Sequence, residues 1–465
     1  MITRIEIDGF KSFEGFTLNL PPFAVILGPN ASGKSNLFDA LRLLSRLATN
    51  DVRTAMKELR GEPLELFRRL PDGQVATRMT FAIETLLEPT VRDDFGEEKD
   101  LTFPRLRYEI TIVRREEDRI ERFFVERERA ASIAKKDDRW LPYGHPIAKE
   151  FKAQFFAKER AVRRTDFLET NEQEERRLFF LRQDGKQGRV REYAAQRAHA
   201  SVLSSITTVQ EFPHLYALRR ELAGLRYLQL DAAAERLPSP TDAPEMLERD
   251  GRNVAAVLYR VRAETATTES PDGALSDIRA DLVALVPGVT DLAVVRDEER
   301  REYRLEVTMR DGQIFNSRVL SDGTLRILAL LTLLHDPRHQ GVLCFEEPEN
   351  GVHQTRLQRL MQFLEEACTD PTSDLVDVDR PFRQIIVNTH SSIAANAVRR
   401  SIILASRSDV VEPGMPGSLA SCTIMEPYEL MDQEELFGDD RKSHQATRRR
   451  IEQFLEAYEQ AERAA

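Results

Sequence analysis

FAVILGPNASGKSNLFDALRLL, residues 23–44, joins a continuously apolar run to a segment with Leu37, Leu41 and Leu44 at helical spacing, through a loop that begins and ends on glycine motifs. The apolar run reads as a buried strand and the leucine pattern as an amphipathic helix. Between them GPNASGKS, Gly28 to Ser35, fits G-x-x-x-x-G-K-[ST] in the strand-then-helix setting that the pattern requires. The glycines let backbone N–H groups turn inward around an anion at a helix N-terminus, Lys34 adds a cation, and the Ser35 hydroxyl can hold a divalent ion. The residues placed on the phosphates are Gly28, Pro29, Asn30, Ala31, Ser32, Gly33, Lys34, Ser35 and Asn36.

Working outward, ITRIEIDGFKSF carries Ile2, Ile5 and Ile7 and predicts a strand before the loop, and TLNL predicts another. Together these elements predict the opening of an α/β domain, 1–128, whose stretch from about 76 alternates apolar and polar residues in the manner of an antiparallel sheet with one wet face. Residues 129–225 are dense in Arg, Lys and Glu and contain stretches such as EYAAQRAHASVL, which predict a charged helical insertion. The α/β unit resumes over 226–406, with a helix in GRNVAAVLYRVRAE and strands in DLAVVRD and YRLEVTMR. Residues 407–465 read as a tail closed by the helix HQATRRRIEQFLEAYEQAERAA.

Three further stretches carry chemistry. GVLCFEEPEN is an apolar strand that ends in Glu346 and Glu347, at the edge where open parallel sheets bind ligands. Carboxylates there suit a bound cation, Glu346, and a base for an attacking water, Glu347. RQIIVNTHSS repeats the design with His390 at its tip, able to donate to a phosphate oxygen. In VLSDGTLRIL, Ser321 and Gly323 precede an apolar helix and form either a second anion-binding end or an ordinary serine N-cap. His353 divides between a subunit contact and helix capping.

The order GPNASGKS, LSDGT, FEEPE, NTHS resembles the ABC-type ATPase head, and ITRIEIDGFKSF before GPNASGKSN is similar to its SMC/RecF branch. LSDGTLRILALLTLLHDP followed by EEPENGVHQ is similar to the AAA-type "predicted ATPase" group of that branch, to which the ATPase half of OLD-family proteins is related. The resemblance implies ATP and Mg²⁺ as ligands, with Lys34 and Ser35 on the Walker A positions, Glu346 on the Walker B acid, Glu347 on the catalytic glutamate and His390 on the switch histidine. It places Ser321 and Gly323 on the signature loop, facing ATP held by a second copy, and Asn350 and Gly351 on the loop that crosses the interface. The glutamine linked to the γ-phosphate falls on Gln229, with Gln74 as rival. Asp322 replaces the usual signature glycine and Glu346 the usual aspartate; Arg326, one helical turn on, is the expected partner of Asp322.

At 465 residues and 41% hydrophobic composition the chain can bury a sizeable core, and its formal charge of −11 argues against a protein that coats nucleic acid. Cys344, Cys368 and Cys422 lack metal-ligand spacing, and no stretch has the length and apolarity of a bilayer span. These features predict a cytoplasmic protein. Function divides between a DNA-associated dimerisation switch in repair, genome maintenance or anti-phage surveillance and a regulatory scaffold gating a separately encoded effector nuclease or toxin. A transporter energising subunit is the minor alternative. Basic clusters at 161–167 and at Arg114, Arg115 and Arg119 are the candidate DNA contacts.

Overall fold

The computed structural model describes residues 1–134, 136–140, 147–156, 165–173, 176–184, 189–373, 382–398, 401–411 and 419–429. The chain divides into two compact units, one containing Met1–Leu225, Thr369–Gln384 and Ser401–Glu429, the other Arg226–Cys368 and Ile385–Arg400.

The first unit opens with β1 (Ile2–Asp8), β2 (Phe16–Asn19) and β3 (Phe23–Leu27), then α1 (Lys34–Leu47) and α2 (Val52–Lys57). Its strands β4 (Arg78–Leu86), β7 (Arg105–Glu117) and β8 (Ile120–Ser132) follow, with the small β5 (Thr90–Arg92) and β6 (Glu98–Asp100) hairpin between. After α3 (Lys149–Phe155) come β9 (Asp166–Gln173), β10 (Arg176–Arg182), β11 (Val190–Ala194) and α4 (Pro213–Ala223). An eight-stranded antiparallel sheet runs β11-β10-β9-β8-β7-β4-β1-β2.

This sheet corrects the expectation of a helical insertion over 129–225. Residues 166–194 instead extend the β lobe by three strands: Leu181 pairs with Leu168 and Phe179 with Thr170. Intrinsic helix propensity is a weak prior even in stretches rich in Ala and Gln, and burial of Phe167, Leu168, Phe179 and Leu181 against the sheet overrides it. In the stretch taken as helical, Val190–Ala194 is strand and only Leu203–Ser205 forms a short turn of 3₁₀ helix. Buried Glu128 of β8 holds that turn, accepting from the N–H groups of Val202 and Leu203 (3.0 Å for the latter to Oε1) and from the Tyr108 hydroxyl. Burial pushes its carboxyl up to about 7 against those donors.

The second unit contains β12 (Arg226–Leu228), α5 (Ala232–Glu235), β13 (Ser239–Pro240), α6 (Val254–Thr265), α7 (Ala274–Leu285), β14 (Val289–Asp297), β15 (Glu302–Met309), β16 (Ile314–Asn316) and α8 (Asp322–Leu334). It continues with β17 (Gly341–Glu346), α9 (Gln354–Glu366), β18 (Arg383–Thr389), which enters this unit at Ile385, and α10 (Ser392–Asn396). β12 and β17 are parallel, with Leu228 opposite Phe345, and β18 lies on the other side of β17. α8 is almost wholly buried, as its leucine-rich sequence requires.

The chain then returns to the first unit with β19 (Ser401–Val411) and β20 (Leu419–Glu429). β19 pairs in parallel with β3 and antiparallel with β20, so it runs straight through the boundary expected at 406. The helix expected over 444–465, and residues 161–164 of the basic cluster at 161–167, lie outside the described residues.

Candidate functional site

In the first unit, β3 is buried at all five positions and delivers the chain into the glycine loop at the strand's C-terminal end. The loop turns through two left-handed residues, Ala31 (φ 60°) and Gly33 (φ 93°), before α1 starts at Lys34. A Cβ on Gly33 would stand 1.9 Å from Thr423 Oγ1 of β20, so both its backbone conformation and its surroundings demand glycine. Lys34 is 7% exposed, and its ammonium donates to the carbonyls of Gly28 (2.7 Å) and Pro29 (2.5 Å). The loop thus wraps its own cation.

The GFKSF segment is the brace behind this loop. Lys11 pairs with Asp39 of α1 at 2.6 Å, and Asn36 donates to Ser12 Oγ at 2.8 Å. Ser12 Oγ in turn bonds Thr423 Oγ1 at 2.6 Å. Thr423 escaped the sequence reading because nothing in its local sequence marks it; only the β19–β20 hairpin carries it to the loop. Gln74 lies in a surface turn, where its carbonyl accepts from Leu70.

In the second unit, β17 is buried throughout and ends on Glu346, 7% exposed. Burial pushes the Cys344 thiol up from its ordinary value, which makes it an inert core residue. Glu347 follows at φ 49°, a left-handed conformation costly for a non-glycine residue. Three contacts hold it there. Its N–H donates to Asn388 O of β18 at 2.8 Å, its carbonyl accepts from Arg326 Nη1 at 2.8 Å, and its Oε2 accepts from Asn350 Nδ2 at 2.6 Å.

His390 sits at the tip of β18 with its ring half exposed and its Nδ1 3.1 Å from Glu349 Oε1. The same oxygen accepts from the His390 N–H (3.0 Å) and the Thr389 hydroxyl (2.8 Å). Glu349, the third acid of EEPE, therefore aims the histidine; the sequence reading passed over it because its role depends on a neighbouring strand. His353 caps α9 by accepting from the Thr355 N–H, as one of its two readings expects.

Ser321 is the N-cap of α8, accepting from Thr324 N at 3.3 Å. Asp322 is not paired as expected: its carboxylate meets Arg236, while Arg326 turns inward to the carbonyls of Glu347 and Leu230. An arginine one turn along α8 is buried, and carbonyls already inside the unit satisfy its donors. Gly323 packs against the Asn350–Gly351 loop so closely that a Cβ there would lie 2.5 Å from Gly351 O. Gln229 leaves the end of β12 and bonds Arg249 across an 820 Å³ cavity that Asp322, Arg326 and Asn350 also line.

Beside Arg326 lies Glu235, 1% exposed, with neither carboxylate oxygen hydrogen-bonded among the described residues. Burial pushes its pKa up to about 8, only partly offset by Arg326, with Asp231 and Asp322 adding to the rise and Arg236 opposing it. Burial likewise draws the Arg326 guanidinium below its ordinary value, against Glu235, Glu349, Glu347 and Asp322.

The donors fit a nucleoside triphosphate with Mg²⁺. The loop offers a left-handed glycine turn and a buried lysine at a helix start, and among the described residues no His, Cys, Asp and Glu cluster forms a cage for a metal. Mg²⁺ is typically held by a few side-chain oxygens together with substrate phosphates. These are the parts of a P-loop ATPase of the SMC/RecF-like ABC type. The profile of the family described as "AAA domain, putative AbiEii toxin, Type IV TA system" matches residues 23–395, and the chain belongs to that family.

Among curated proteins, the chain is similar to the chromosome partition protein Smc of Synechococcus sp., 38% identical over 107 residues, 22% of this chain and 8% of that protein. The Smc of Synechocystis sp. is 47% identical over 73 residues, 15% of this chain and 5% of that protein. The match thus covers less than a tenth of the length of these relatives. Among solved structures, the Smc head bound to the C-terminal winged-helix domain of ScpA aligns over 94% of this chain and 99% of that one, with 16% identity and a TM-score of 0.46. No helix among the described residues is long and apolar enough to cross a membrane.

Proposed function

We propose that the chain binds and hydrolyses ATP and uses the cycle as a dimerisation switch in DNA repair, genome maintenance or anti-phage surveillance. The observation that carries this reading is the held conformation of Glu347, fixed at positive φ by Asn388, Arg326 and Asn350 at the end of a buried strand. Strain retained at one acidic residue marks a position where geometry matters more than stability. In this reading Lys34 and the N–H groups of the loop hold the phosphates, Ser35 and Glu346 hold Mg²⁺, and Glu347 orients a water and accepts its proton. Bound Mg²⁺ supplies charge neutralisation for the phosphate oxygens. His390, aimed by Glu349, donates to the terminal phosphate, and Gln229 is the glutamine linked to that phosphate.

Ser321 and Gly323 contact the nucleotide of a second copy, so that ATP joins the two chains and its hydrolysis releases them. Glu347→Gln should then lower turnover about a hundredfold or more and, by size-exclusion with light scattering, form an ATP-dependent dimer. A variant with the same mass with and without ATP would remove the switch from the reading. ATPase rates with and without double-stranded and single-stranded DNA test the DNA association.

A second reading, a regulatory ATPase gating a separately encoded nuclease or toxin, is favoured by the family's description, which names a type IV toxin–antitoxin system. Cleavage or toxicity that requires a neighbouring gene product, with DNA leaving the ATPase rate unchanged, distinguishes it from the first.

A further inference from the structure

The wet face of the eight-stranded sheet carries two concavities in succession along β4, β7 and β8, and their charges differ. In the first, Arg107 bonds Glu6 and Glu109, each at 2.7 Å, and Arg129 bonds Asp166 at 2.7 Å, so every guanidinium has a carboxylate. In the second, a 330 Å³ cavity, Arg78, Arg127 and Arg177 line the wall together with Glu126. Arg78 (2.6 Å), Arg177 (3.4 Å) and Arg115 (3.8 Å) share Glu126, and Arg177 also reaches Glu172. Arg127, exposed, has no partner among the described residues. The hydroxyls of Thr80 and Thr111, 3.2 Å apart, form the floor.

The strand geometry builds this excess. Thr111 lies opposite Arg127 and Ile112 opposite Val125, so Glu126 is an extra residue in β8. A bulge of this kind re-aims side chains and recurs beside binding sites. Here it lets consecutive residues Glu126 and Arg127 line one cavity. Unneutralised guanidinium forks beside hydroxyl donors match the oxygens of a phosphate group. On the side of the first concavity the balanced charges end the basic surface, so it does not continue that way as a track for a polyanionic backbone.

We propose that this cavity is a phosphate-binding site of the β lobe, separate from the glycine loop, and that it takes the phosphate of a small phosphorylated molecule. The test is calorimetric titration of inorganic pyrophosphate into the full chain carrying Lys34→Ala, which weakens the glycine loop, with Arg127→Glu or Glu126→Gln added. Arg127→Glu should weaken binding about tenfold, and Glu126→Gln, by removing the carboxylate that competes for three guanidiniums, should tighten it about threefold. A charge network with only a structural role would leave both affinities unchanged, and that result overturns the site. Arg127 is exposed, so its variant should melt as the parent does; if it does not, the Glu126→Gln tightening decides alone. A fluorescent single-stranded oligonucleotide forms the second arm: binding that depends on Arg127 there but not for pyrophosphate would overturn the small-molecule assignment.

Discussion

The glycine loop and the acidic strand tip solve the same problem, holding charged side chains still, by opposite means. Around the loop the backbone itself is shaped, through Ala31 and Gly33 at positive φ, and Lys34 folds back on the carbonyls of its own loop. At the strand tip the backbone strain falls on Glu347, and side chains hold it, Arg326 of α8 on its carbonyl and Asn350 on its carboxylate, while Glu349 holds His390. A site made of local backbone tolerates little change in its own sequence and little dependence on the rest. A site made of distant side chains can lose function through residues that touch no ligand.

The largest expected effect breaks the loop side of this contrast. Lys34→Ala removes the one ammonium in the loop, and nucleotide affinity, measured by equilibrium titration of a fluorescent ATP analogue, should fall about a hundredfold. Retained affinity would mean that the backbone donors suffice alone. Next, Arg326→Ala orphans the carbonyls of Glu347 and Leu230, at a cost of about 1–3 kcal/mol each in denaturant melts, and should lower turnover about tenfold while nucleotide affinity holds. An equal loss in affinity would make the two sites one energetic unit and dissolve the contrast.

The smallest effect concerns pH. Glu235 has its folded pKa raised to about 8 from an ordinary 4.5, so the folded chain holds a proton that the unfolded chain has released between those values. Stability therefore falls as pH rises from about 4.5 to about 8 and levels off above. Glu235→Gln, isosteric and uncharged, should flatten that fall in melts at pH 5 and pH 8. An unchanged slope would place the pH dependence on another group.

The ease of reading the two sites from sequence follows the same division. GPNASGKS was legible because its chemistry lies in consecutive backbone groups, and EEPE and NTHS because strand ends at a sheet edge expose whatever residues come next. Glu349, Arg326 and Thr423 were misread or missed because their roles are fixed by the strand or helix that each faces. The β lobe shows the same limit at larger scale: in RRLFFLR and VREYA charged residues blur the alternation, and pairing of the first with β9 and of the second with β10 makes those segments strands. The partner chosen by Asp322 was out of reach too, since Arg236 lies far away in sequence.

By itself, then, the sequence determined the strand–loop–helix opening, the acidic and histidine strand ends and the family, because each is written in residues adjacent along the chain. Tertiary structure alone decided that Glu347 sits at positive φ under Arg326, that Glu349 aims His390, and that three arginines of the β lobe share Glu126 beside Arg127. Those arrangements are set by cross-strand register and by burial, and both depend on contacts between residues far apart in the chain.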